Sequence, residues 1–223
     1  MAEAASQQDR AYQLIRGAIV SAKHKPGERL PMKRLCDEMG LGRTPVREAL
    51  VRLSQERLVS SVPQSGTYVS LIDLDAAENA RFVREALEME VAAEASARID
   101  RRGYVALDAI MREQEEAARR RDNAAFFEND NLFHRLIFVI AGRAEVWDWI
   151  EAMAVNLDRF RWLSITTEGL DWQVVLDQHY QLCDAIVNRR PTEARYLASM
   201  HLHKMLADER AVTERYPEYF RES

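Results

Sequence analysis

The stretch PMKRLCDEMGLGRTPVREALVRL, Pro31 to Leu53, leaves the chain little conformational choice. Pro31 suits the start of a helix and Gly40 its end. Proline lacks the N–H that a first turn leaves unpaired, and glycine tolerates the left-handed backbone beyond a last turn. About two turns fit between them, with Leu35 and Met39 as the residues to bury. Leu41 and Gly42 form a tight turn. A second helix follows, with Thr44 as its expected cap, Pro45 at its first position and Glu48 near the third. Val46, Leu50 and Leu53 give that helix one apolar stripe, and it is predicted to run through Glu56.

What flanks this pair fixes the architecture further. AYQLIRGAIVSA carries Leu14, Ile15, Ala18 and Ile19 at helical spacing and ends before a turn at Pro26-Gly27. After the helix pair, LVSSVPQSGTYVSL is β-branched and broken by Pro63-Gln64-Ser65-Gly66, which predicts a hairpin with a four-residue tip. Helix, helix, tight turn, helix and hairpin, in that order, make a winged helix-turn-helix over residues 1–73.

The second helix of the pair opens with Arg43 and Arg47, although arginine belongs electrostatically at the other end of a helix. That mismatch costs roughly 0.3–1 kcal/mol. A bidentate arginine contact to guanine discriminates by about 1–3 kcal/mol, so double-stranded DNA resolves the conflict. Lys33 and Arg34, opening the preceding helix, can reach the backbone or a base edge. The competing reading pairs these arginines with Glu48 or Asp37 on the surface.

Net charge agrees with a local polyanion site. The whole chain of 223 residues carries −5, but residues 1–73 carry +3 and residues 74–223 carry −8. The two cysteines, Cys36 and Cys183, are far apart and form no CxxC motif, so neither a disulfide framework nor a cysteine zinc site is expected. The chain has no apolar run of membrane-spanning length, and MAEAASQQDR lacks the features of a signal peptide. A cytoplasmic protein with no membrane partner is expected.

From residue 74 onward the pattern is helical. The predicted spans are 76–99, 104–121, 123–141, 144–164, 174–188 and 192–216, punctuated by Gly103, Gly142, Gly169 and Pro191. They form a second domain, 74–223, as an all-α bundle of six or seven helices, so the fold class is mainly α. Four of the five histidines lie here. Asp130 and His134 share one helix face at i, i+4, His179 lies on another helix, and His201 and His203 lie on the last. One carboxylate and three imidazoles from three helices can converge on Zn²⁺, Ni²⁺ or Mn²⁺ and leave a position open. The plainer alternative is that they are satisfied core histidines.

KPGERLPMKRLCDEMGLGRTPVREALVRLSQERLVSSVPQSGTYV resembles the GntR-family DNA-binding domain, through PGERL, the LGRTPVREAL helix and the G-x-x-V wing. The resemblance implies DNA contacts at Arg34, Arg43, Thr44, Arg47 and the wing glycine, Gly66. Gly42 stands where relatives often have Ser or Thr, so a hydroxyl contact to phosphate is missing. The region of Lys23 lacks a glycine often found there, which is expected only to alter the turn.

The helical part resembles the FCD ligand-binding domain of the FadR subgroup. REALEMEVAAEAS matches its R-x-x-x-E helix, DNLFHRLIFVIAG its D-x-x-x-H helix, QHYQLCDAI its next histidine helix and ARYLASMHLH its last. This implies a divalent metal, Zn²⁺ foremost, on Asp130, His134, His179 and His201, with His203 a surface residue or an alternative ligand. It implies an effector-binding role for Arg84, against the alternative of an intrahelical Arg84–Glu88 pair. Arg143 replaces an Asn usual after Ala-Gly. The expectation is a homodimeric, metabolite-responsive regulator that binds a pseudo-palindromic operator. A small organic acid releases it, as for a repressor. A metal-dependent hydrolase or lyase in the helical domain is the alternative.

Overall fold

A computed structural model of the chain describes residues 6–167, 171–203 and 208–221. Helix α1, Gln7–Val20, is capped by Ser6, whose side chain accepts from the Asp9 N–H. Helix α2, Met32–Met39, starts after Pro31 and stops at Gly40, which adopts φ 63°. Helix α3, Arg43–Gln55, begins earlier than the sequence predicts. Gly42 holds the extended cap conformation and no side chain caps the helix, so Thr44 is not the cap and Pro45 is not the first residue. Gly42 is extended, a conformation open to any residue, and Thr44 is left exposed within the first turn.

Strands β1, Val59–Val62, and β2, Gly66–Val69, form the antiparallel hairpin, in register Val59 to Val69 and Val62 to Gly66. The tip is therefore three residues, not four. Gly66 is the first residue of β2, and the left-handed tip residue is Gln64, φ 61°. Ile15, Ile19, Leu35, Val46, Leu53, Leu58 and Val69 close one core under these elements. Val155, from far along the chain, joins it.

Beyond the hairpin lie α4 (Leu74–Arg98), α5 (Arg101–Arg120), α6 (Asn123–Ile140), α7 (Ala144–Met153), α8 (Val155–Thr166), α9 (Trp172–Val187), α10 (Pro191–His203) and α11 (Glu209–Arg215). Asp73, Asp100, Asp122 and Asp171 cap α4, α5, α6 and α9, each accepting a first-turn N–H. Two predicted spans are broken. The span 144–164 divides at Ala154, which ends α7 and starts α8. The span 192–216 is described as α10 up to His203 and again from Asp208, which precedes α11 at Glu209; residues 204–207 lie outside the described residues. Gly103 does not separate helices but sits in the first turn of α5, where a Cβ would meet Ile99 Cδ1 at 2.8 Å. Gly169 lies outside the described residues.

Helix α4 runs through the bundle and packs on α6, α8, α9 and α10. The main core gathers Phe126, Phe133, Ile137, Phe138, Leu176, Leu182 and Ile186. At the chain's end, Tyr219 and Phe220 return to the segment before α4: the Ile72 N–H donates to the Tyr219 carbonyl, and the Arg221 N–H to that of Ile72.

Candidate nucleic-acid interface and metal centre

The first turn of α3 is exposed at Arg43, Thr44 and Arg47, while Val46, Ala49 and Leu50 anchor its other face. Neither Arg43 nor Arg47 forms an ion pair among the described residues, and the pairing with Glu48 or Asp37 is not made. Free N–H groups and two free guanidiniums thus project from one helix end. Arg34 differs. Its guanidinium donates to Glu28 Oε1 at 2.6 Å and to Glu38 Oε1 at 2.7 Å, so any DNA contact must compete with two carboxylates. Along the wing, Gly66 has φ 136°, and a Cβ there would lie 2.9 Å from Arg29 Nε. Arg29 is a cation at the wing that the sequence reading missed. Its bridge to Tyr68 depends on chain pairing, not on a motif.

Inside the bundle, α6 contributes Asp130 and His134, α9 His179, and α10 His201. All four are buried, and the structure brings them together. One ring nitrogen from each histidine lies within 4.8 Å of the other two. Asp130 Oδ1 is 3.6 Å from His179 Nε2, and Oδ2 is 3.8 Å from His134 Nε2. His203 is exposed and sits away from the cluster, 4.0 Å from Glu85.

Each imidazole is oriented from behind through Nδ1. His134 Nδ1 faces Glu88 Oε2 at 2.6 Å, His179 Nδ1 faces Gln114 Oε1 at 2.8 Å, and His201 Nδ1 faces Gln178 Oε1 at 2.8 Å. These oxygens only accept, so each ring carries its proton on Nδ1 and presents a bare Nε2 inward. Sequence spacing could not find Glu88, Gln114 and Gln178 as partners, because each comes from a different turn or helix than its histidine.

The consequence is an electrostatic conflict. His179 Nε2 and His201 Nε2 approach to 3.3 Å. With both protons at Nδ1, that approach sets two lone pairs against each other and is not a hydrogen bond. His134 Nε2 is buried with no partner among the described residues. A cation among the three nitrogens relieves both defects. Tetrahedral Zn–N bonds of about 2.0–2.1 Å place neighbouring nitrogens about 3.3–3.4 Å apart. The residues therefore fit a divalent metal, with Asp130 as a fourth donor.

Charge states agree. Burial, with His134 nearby, pushes His201 down to about 3, and burial with His201 pushes His179 well below its usual value, so both rings are neutral near pH 7. Burial opposes ionisation of Glu88, yet Arg84 and His134 outweigh it and hold the carboxyl at about 2. Burial likewise opposes Asp130, but Arg161 and the histidines keep it ionised. Arg84 is buried, bonded to Glu88, and lies over Trp147, while its Nη2 has no partner among the described residues. The intrahelical Arg84–Glu88 pair is thus formed, with one guanidinium nitrogen in reserve.

Residues 80–204 match the FCD domain family, and residues 7–69 match the bacterial regulatory proteins of the gntR family. The chain is 29% identical to the HTH-type transcriptional repressor RspR of Escherichia coli (strain K12), over 95% of this chain and 92% of that protein. It is 31% identical to an uncharacterized HTH-type transcriptional regulator in an unstable DNA locus of Streptomyces ambofaciens, over 94% of this chain and 87% of that one. E. coli McbR/YncC has the same fold, with a TM-score of 0.82 at 19% identity, covering 95% of this chain and 99% of that one. The relatives are transcription regulators, which removes the hydrolase or lyase alternative. The chain belongs to the gntR family of bacterial regulatory proteins, with an FCD domain.

Proposed function

We propose that the chain is a metabolite-responsive repressor, cytoplasmic and homodimeric, divided into a DNA reader at residues 1–73 and an effector domain at 74–223. Arg43, Thr44 and Arg47 read the major groove of a pseudo-palindromic operator, Gly66 brings the wing backbone to the minor groove, and Arg34 contributes once it leaves Glu28 and Glu38. Two readers in a dimer must sit about 34 Å apart to engage successive turns of DNA, so a modest reorientation ends binding.

The observation that carries the effector half is the inward convergence of three bare Nε2 atoms, one of them orphaned. Asp130, His134, His179 and His201 hold the ion, Zn²⁺ foremost, with Ni²⁺ and Mn²⁺ as alternatives. Bound there, the ion supplies a positive charge and an open position for a carboxylate. Arg84 presents its spare Nη2 to the same acid, and Glu88, Gln114 and Gln178 keep the imidazoles aimed.

The experiment is operator release by a panel of small mono- and dicarboxylates, with metal-loaded and metal-stripped protein. The expected result is operator binding by both forms and release only from the loaded one. Equal release from the stripped protein makes the metal structural and moves effector recognition elsewhere.

A further inference from the structure

The carboxylate of Asp130 does not face the histidines alone. Arg161, on α8, donates through Nη2 to Asp130 Oδ2. Its Nη1 donates to Asn131 Oδ1 at 2.9 Å and to Asp158 Oδ1 at 2.9 Å. The other oxygen of Asp158 lies 3.9 Å from Nη2 of Arg16. Arg16 belongs to α1, in the winged domain, and also donates to the Glu151 carbonyl at 3.4 Å. Asp130, Arg161, Asp158 and Arg16 therefore form a file of alternating charge from the histidine cluster to the DNA reader. The first three are nearly fully buried, at 5%, 6% and 7% exposure.

Helix α8 is built to carry such a signal. Val155, one turn before Asp158, packs in the core of the winged domain. Arg159, almost wholly buried, donates through Nη2 to the Ser70 carbonyl at 2.7 Å, just beyond β2. One short helix thus touches the metal-binding cluster, α1 and the end of the wing.

We propose that Arg161 is a positioning residue that couples the histidine cluster to the winged domain by sharing Asp130 with the bound metal. This rests on the metal reading above. A dication at the cluster and the Arg161 guanidinium compete for the same carboxylate. What Arg161 loses on Asp130 it regains on Asp158, and Asp158 then holds Arg16 less firmly. Without metal, Arg161 neutralises a carboxylate that would otherwise be buried and uncompensated. With metal, the docking of α1 on α8 loosens, and the reader's orientation changes with it.

The test uses the full-length protein, Zn²⁺ alone, and a duplex selected from a random pool by the wild type. Two quantities are read for each variant: Zn²⁺ affinity by chelator competition, and the ratio of operator Kd with and without Zn²⁺. The wild-type ratio is expected in the range of about 5–150-fold typical of coupled sites. Arg16→Gln and Asp158→Asn should bind one Zn²⁺ per chain yet bring the ratio close to one, and Arg16→Lys should recover much of it. Arg161→Met should abolish the ratio while binding Zn²⁺ more tightly, because Asp130 is no longer shared. A purely structural ion pair predicts the reverse for Arg16→Gln: lower melting temperature, unchanged ratio. An unchanged ratio in Arg16→Gln with normal Zn²⁺ uptake overturns the coupling and leaves the metal site standing. So does wild-type protein that takes up Zn²⁺ with no shift in operator Kd. No Zn²⁺ uptake by the wild type overturns both.

Discussion

His134 Nδ1 stands 2.6 Å from Glu88 Oε2, and the other oxygen of that carboxylate is held by Arg84. The arginine and glutamate of one helix thus fix the tautomer of a histidine on another. A ring that donates through Nδ1 to a carboxylate is a stronger Nε2 donor, and its orientation is set before any ion arrives. This links the R-x-x-x-E pattern of α4 to the D-x-x-x-H pattern of α6 through a single contact.

Glu88→Gln tests that link. The amide keeps the shape but loses the charge, so Zn²⁺ should bind about 10–100-fold more weakly while His134, His179 and His201 all remain. Chelator competition on purified protein measures this. Unchanged affinity would make Glu88 a partner of Arg84 only.

Arg84→Ala should do more than disturb effector recognition. It strands Glu88 in a buried setting, and breaking a buried pair costs about 3–5 kcal/mol. The melting temperature should fall, and Arg84→Met with Glu88→Gln should recover part of the loss. Loss of effector response counts as recognition only in a variant that melts like the wild type; Arg84→Lys is the variant to examine. If Arg84→Ala melts like the wild type, the Arg84–Glu88 pair does not hold the bundle together.

The winged half was legible because its signals are local. Pro31, Gly40 and the Pro63–Gly66 break each act within a few residues. The two misplacements, the Thr44 cap and the wing tip, are shifts of one or two residues, and helix and strand ends are where local spacing is least decisive. The bundle was less legible. No Gly or Pro marks the break at Ala154, where the backbone leaves the helical conformation at φ −82° and ψ 8°. Asp130 and His134 share a helix face, a weak signal by itself; His179, and His201 rather than His203, were singled out through the resemblance to the FCD domain. Gln114, Gln178 and Arg161 were not, since their roles exist only once α5, α8 and α9 meet α6 and α10.

Arg47→Ala should weaken operator binding by about 1–3 kcal/mol and leave binding to random DNA nearly intact, because its guanidinium is exposed and unengaged at the start of α3. Arg34→Ala should cost less, and equally on both DNAs, since Glu28 and Glu38 already hold that side chain. Fluorescence anisotropy with both duplexes at two salt concentrations separates the cases. Equal losses on operator and random DNA for Arg47→Ala would reduce it to a phosphate contact.

Acid should destabilise the metal-free bundle, in a window set by its histidines. His201 titrates at about 3 in the folded chain against 6.5 as its ordinary value, and His179 is shifted in the same direction. Between these values the unfolded chain binds more protons than the folded one, so stability rises with pH there and is complete above 6.5. For one such histidine, acidification from pH 7.5 to pH 5 costs about 2 kcal/mol. Glu88 acts in the same sense but lower: held at about 2 against an ordinary 4.5, its contribution is present above 4.5 and is lost as pH falls toward 2. Urea unfolding of stripped protein at pH 7.5 and pH 5 should therefore show a large loss in the wild type and a smaller one in His201→Gln. Zn²⁺ should steepen the wild-type dependence, because protons and metal compete for the same Nε2 atoms. Identical pH dependence in wild type and His201→Gln would mean that His201 takes up its proton as readily folded as unfolded, and the inward-facing bare nitrogen would have to be abandoned.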